Sequence, residues 1–108
     1  MIAKSQVLLS VAPGVYINPL EREDFDPESE YVLLDEKGLR SLGVGPEQCK
    51  TLARLDHCGL IKIHSITPRR RLLDLATWRA HLEAVREDPE FWEKPHMRRR
   101  WRIACLAV

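Results

Sequence analysis

The stretch at residues 45–75, GPEQCKTLARLDHCGLIKIHSITPRRRLLDL, decides how the rest of the chain is read. Pro46 has its φ pre-set for a first helical turn and no amide hydrogen to leave unsatisfied, Gly45 is an acceptable cap, and Glu47 complements the positive end of the helix dipole. The spacing predicts a helix from Pro46 to near Gly59, with Cys49, Leu52, Ala53 and Leu55 on one side and Gln48, Lys50, Thr51 and Arg54 projecting elsewhere. Gly59 suits the left-handed residue that closes a helix. Residues 60–65 then alternate apolar and polar as a half-buried strand does, and Arg71, Leu72 and Leu73 form a returning strand. Residues 66–70 are the turn between them, since Pro68 cannot donate to a ladder.

Working upstream, DEKGLRSLGV at residues 35–44 reads as a short helix over 35–42. Asp35 and Glu36 favour its positive end, Leu39 and Leu42 share one face, Gly43 stops it, and Val44 can pack beneath the turn. Tyr31, Val32, Leu33 and Leu34 lead into it. Two short helices around a tight glycine turn are a helix-turn-helix pattern, which occurs both in DNA-reading modules and as a plain packing unit. Downstream, Asp74 caps a third helix whose stripe of Leu75, Trp78, Leu82 and Val85 should cover the core, so Trp78 reads as core and not as a base-stacking platform. Asp88 and Pro89 mark another start, with Phe91 and Trp92 as anchors, that Pro95 is expected to end. The basic run of His96, Arg98, Arg99, Arg100 and Arg102 follows, either a phosphate-binding patch or a solvated tail, and then an apolar end at residues 103–108.

At the other end, residues 7–11 and 15–17 are β-favouring runs joined by Ala12, Pro13 and Gly14, a hairpin expected to pack on the domain without being its core. The acidic piece EREDFDPESE at residues 21–30 carries six carboxylates in ten residues and reads as an exposed connection. The 108 residues are enough for about one domain, and a hydrophobic fraction of 44% allows a modest core. Net charge is +1, but residues 1–54 hold six Lys/Arg against nine Asp/Glu, and residues 55–108 hold eleven against seven. The basic excess is therefore concentrated late, where an anionic partner is permitted. Three cysteines and the lack of a charged-then-apolar opening lead us to expect a cytoplasmic, nucleoid-associated protein without a disulfide framework. No apolar run approaches the roughly 20 residues that cross a bilayer.

The run LLDEKGLRSLGVGPEQCKTLARLDHCGLI, followed by a basic hairpin and LDLATWRAHLEAV, resembles the winged helix-turn-helix domains of the MerR-like, excisionase and AlpA-type regulators. The resemblance spans about residues 31–85 and is one of pattern more than identity. Gly45 stands where such domains commonly carry Ser or Thr, and residues 49–59 are longer than in the most compact excisionases. It implies an α+β fold, a three-helix core with a β-hairpin wing at 31–85, flanked by an N-terminal arm at 1–30 and an extension at 86–108. It also implies sequence-specific binding of double-stranded DNA as a transcriptional regulator or a recombination directionality factor; the alternative is a winged-helix module that binds protein partners. Side-chain chemistry supports DNA on its own terms. Gln48, Lys50, Thr51 and Arg54 match base edges and phosphates, while Arg69, Arg70 and Arg71, with Lys62, would put positive charge at the hairpin tip, and His64 joins the expected DNA-binding set. Arg98, Arg99, Arg100 and Arg102 form a possible second basic patch. One module buries limited surface, so a homodimer or side-by-side assembly is expected, with Ile103, Leu106 and Val108 as the contact.

Cys49, His57, Cys58 and His64 carry zinc-compatible atoms, but no CxxC pair is present and adjacent His57 and Cys58 space ligands awkwardly. No hydrolase, metalloprotease, nucleotide-loop or dinucleotide-binding pattern appears. The expectation is a non-enzyme without cofactor or metal.

Overall fold

The computed structural model describes residues 8–18 and 30–108. Among them are four α-helices and two small antiparallel sheets, an α+β arrangement. All of the acidic stretch except Glu30 lies outside the described residues, as does Val7 of the expected first strand.

The N-terminal hairpin pairs β1 (Leu9–Ala12) with β2 (Val15–Ile17) around Pro13 and Gly14, whose φ of +81° is the left-handed turn value that favours glycine. The expectation that this arm stays outside the core is corrected. Val11, Ala12 and Ile17 belong to the same buried cluster as Leu52, Leu73 and Trp78. Two side chains anchor it by bonding backbone carbonyls: the Trp92 indole N–H donates to Ser10 at 2.9 Å, and His81 Nε2 lies 2.8 Å from the Val11 oxygen. A strand with buried alternate residues cannot float on a surface, because its apolar side chains need an opposing layer.

Residues 31–34, read from sequence only as a lead-in, contain a strand, β3 (Tyr31–Leu33). Three residues are too few to show a period, and only pairing with a distant strand makes this a sheet member. Asp35 caps α1 (Glu36–Leu42), its Oδ1 accepting from the Gly38 amide at 2.7 Å. Gly43 ends α1 at φ +88°, and the Val44 amide reaches back to the Leu39 carbonyl at 3.1 Å, the crossed closure of a Schellman turn.

Pro46–Gln48 form a 3-10 turn that feeds α2 (Cys49–His57), so the helix expected from Pro46 becomes regular three residues later. After it, Gly59 takes φ +78° and Leu60 donates to the Leu55 carbonyl at 3.1 Å. That closure occupies residues expected in a strand, and β4 (Ile63–Thr67) starts later than the alternation indicates. The turn is correspondingly tighter. Thr67 pairs with Arg70, leaving only Pro68 and Arg69 between β4 and β5 (Arg70–Asp74). β5 is central, flanked by β3 and β4.

Asp74 ends β5 and caps α3 (Leu75–Glu87), accepting from Ala76 at 2.9 Å and Thr77 at 3.4 Å. Leu75, Trp78 and Val85 are buried and Leu82 is half-buried, as the stripe requires. The segment that starts at Asp88 is a 3-10 turn over Phe91–Glu93 and stops before Pro95, as expected. What the sequence reading missed is that Pro95 also begins a new helix, α4 (Pro95–Ala107), because proline is tolerated in a first turn. The basic run and most of the apolar end are thus one helix, held by buried Met97 and Ala104 and packed on α2.

Candidate nucleic-acid interface

Helix α2 has three kinds of surface. Leu52 and Leu55 are fully buried in the core. Lys50 and His57, seven positions apart and so on one side of the helix, are exposed, with half-buried Ala53 between them. The third side faces α4. Thr51 and Arg54, expected on the free face with Lys50, are not there. Thr51 is 8% exposed and its hydroxyl donates to the Gln48 side-chain oxygen at 2.9 Å. Arg54 is half-buried, with Nη2 3.5 Å from the Val108 carbonyl oxygen and a buried Nε that has no partner among the described residues. The displacement of Arg54 follows from α4, whose packing on α2 and C-terminal end at Val108 take up a helix face that periodicity alone leaves open.

The β4–β5 hairpin is tied to the helices at its base. The Arg71 guanidinium donates to Cys49 Sγ at 2.7 Å, at the first residue of α2. The Ile63 amide donates to Asp56 Oδ1 at 3.2 Å, and the Lys62 amide to Thr77 Oγ1 at 2.9 Å. Arg71 and Lys62, expected at the tip, are therefore at the hairpin base. His64 is half-buried, its ring edge-on to Tyr31 at 5.7 Å. Arg69 and Arg70 are exposed at the two-residue turn, where the Arg70 amide is held by Thr67 Oγ1 at 3.1 Å. Neither guanidinium has an ion pair among the described residues.

The four arginines of α4 divide. Arg98 pairs with Glu93 at 2.5 Å, and Arg100 donates to the Cys58 carbonyl and to Met97 Sδ, tying α4 to the end of α2. Arg99 and Arg102 are exposed without an ion pair among the described residues. Burial pushes the Cys58 thiol up, against the opposing pull of Arg100, and its Sγ lies 3.6 Å from the Arg100 carbonyl. Among the described residues no group of three His, Cys, Asp or Glu side chains is placed to hold a metal ion.

The structure thus brings Lys50 and His57 to one helix face, Arg69 and Arg70 to one hairpin tip, and Arg99 and Arg102 to the outside of α4. His57 was weighed from sequence only as a metal ligand, although its seven-residue spacing from Lys50 was a legible sign of a shared face. Ile103 and Leu106 project from α4 at 51% and 85% exposure, with Val108 at 38%. No family model matches the chain, and no curated protein or solved structure matches it.

Proposed function

We propose that the chain is a winged helix-turn-helix protein that binds double-stranded DNA sequence-specifically, as a transcriptional regulator or an excisionase-like recombination factor in the cytoplasmic nucleoid. One observation carries the reading: a hairpin with two unpaired arginines at its tip is bonded at its base to α2, through Arg71 with Cys49 and Ile63 with Asp56. Helix and tip then meet a duplex as one preorganised body, and little ordering entropy is lost on binding.

In this reading α2 enters the major groove with Lys50, Ala53 and His57 toward the bases. Gln48, at the start of the helix, has its side-chain oxygen occupied by Thr51 and keeps its amide nitrogen for a partner. Arg69 and Arg70 take a flanking phosphate or a narrow minor groove. Thr51, Arg54 and Arg71 support the interface from behind.

Selection of bound duplexes from a random pool tests the reading and supplies the site. In a salt titration on the selected duplex, Arg69→Ala and Arg70→Ala should each lower the salt slope by about one and weaken all sequences alike, whereas Lys50→Ala should also flatten sequence preference. A chain with no duplex affinity even at low ionic strength would reject the proposal.

The second reading, a protein-binding module, is favoured by the exposed apolar residues Ile103 and Leu106 of α4 and Val108 just after it. In the DNA reading the same residues join two copies on adjacent half-sites.

A further inference from the structure

A second surface lies between the N-terminal hairpin and α4. There Tyr16, Trp92 and Trp101 line a groove of about 550 Å³ together with Glu93, Arg98 and Arg102. That volume is within the usual range for ligand pockets, roughly 300–1,000 Å³. The floor is rigid. The Trp92 indole N–H is committed to the Ser10 carbonyl, and Trp101 packs edge-on against Trp92 with ring centroids 5.5 Å apart. Tyr16 stands on the wall at 62% exposure, an aromatic ring that the core does not use.

The opposite wall is charged. Arg98 and Arg102 are four residues apart on α4 and so project to one side. Arg98 is balanced by Glu93 at 2.5 Å, which leaves Arg102 as the uncompensated charge of the groove, with Arg99 next to it along the helix. Flat aromatic faces beside the unpaired Arg102 guanidinium fit a ligand that joins a planar ring to an anion. A neutral proline-rich segment would use the aromatic walls, but it would leave the guanidinium charge unanswered and find the Trp92 N–H already taken.

We propose that this groove binds single-stranded nucleic acid, with an unpaired base against Tyr16 and Trp101 and an adjoining phosphate on Arg102. Stacking of this kind tolerates any base, because every base has a π-face, and the guanidinium meets the backbone. The groove is separate from the α2 and hairpin-tip surface and does not rest on the duplex-binding reading. A protein holding both surfaces would grip a duplex beside an opened or frayed strand.

The test uses the full chain and a labelled oligothymidylate of about 12 nucleotides, within the usual site size of ~4–16, read by fluorescence anisotropy and tryptophan quenching at low salt. Tyr16→Ala should weaken binding by roughly 5- to 150-fold, as loss of one base–aromatic stack does. Arg102→Ala should lower the salt slope by about 0.7, the value for one single-strand phosphate. Both side chains are exposed, so thermal melts of the variants should match the parent. Arg69→Ala with Arg70→Ala should leave oligothymidylate binding intact while reducing duplex binding, which separates the two surfaces. The proposal is overturned by absence of oligothymidylate binding, by binding that neither Tyr16→Ala nor Arg102→Ala changes, or by equal affinity for an abasic strand of the same length. Tyr16-dependent binding of a proline-rich peptide in place of the oligonucleotide would also overturn it and assign the groove to protein.

Discussion

His81 shows how much one residue of this fold depends on burial. It packs edge-on against both Phe91 and Trp92, with ring centroids 5.6 and 6.0 Å away, and its Nε2 meets the Val11 carbonyl while Nδ1 is buried without a partner among the described residues. Burial holds its pKa below the ordinary histidine value, and the bond to Val11 only partly offsets this. A base whose folded pKa is depressed is neutral in the native state when the unfolded chain already takes up a proton. Stability should therefore be constant above about pH 6.5 and fall as pH drops from there toward the folded pKa, by at most ~1.4 kcal/mol per pH unit. Urea unfolding from pH 7.5 to 5 should show this slope, and His81→Leu should flatten it. Gly38 is constrained by space instead. A Cβ there would overlap the Leu33 carbonyl oxygen, so Gly38→Ala should destabilise by about 1–3 kcal/mol or more by forcing α1 away from β3, which chemical denaturation would measure.

Among the elements, helix starts at Asp35 and Asp74 and stops at Gly43 and Gly59 were legible, because caps and left-handed glycines are local devices. Asp74→Ala should cost about 1 kcal/mol in urea unfolding, as lost caps do. Helix α4 was not legible. Its apolar residues Met97, Trp101 and Ala104 do recur at spacings of four and three, but the stripe is short, ends on a small alanine and lies among four arginines behind a proline, so charge and not periodicity dominates the reading. Seeing it as a helix explains why Arg54 does not face solvent. Arg54→Ala should therefore change stability more than it changes base preference, a distinction that melts and duplex binding made in parallel would reveal.

For the whole molecule, the N-terminal hairpin is the test of unity. Ile17 is 3% exposed within a cluster shared with the helices and the three-stranded sheet. Ile17→Ala should cost about 2–5 kcal/mol, comparable with Leu52→Ala, and both should unfold in one transition. Self-association belongs to this scale too. Truncating residues 103–108 would also remove buried Ala104, so Leu106→Glu is the cleaner probe. If α4 joins two copies, sedimentation should show that variant as a monomer with an unchanged melting temperature.

The sequence by itself determined the local grammar of this protein: the caps that start α1 and α3, the glycines that close α1 and α2, which stripe of α3 is buried, and that a basic hairpin follows a short helix pair. These depend on interactions within a few residues, so a string of side chains carries them. Only the tertiary structure decided that β3 is a strand, that residues 95–107 form a helix packed on α2, that the N-terminal hairpin is core, and that Arg54 and Arg71 are taken up in supporting α2 and the hairpin base. Each of those depends on partners distant along the chain, and the exposure of a side chain is a property of what packs over it.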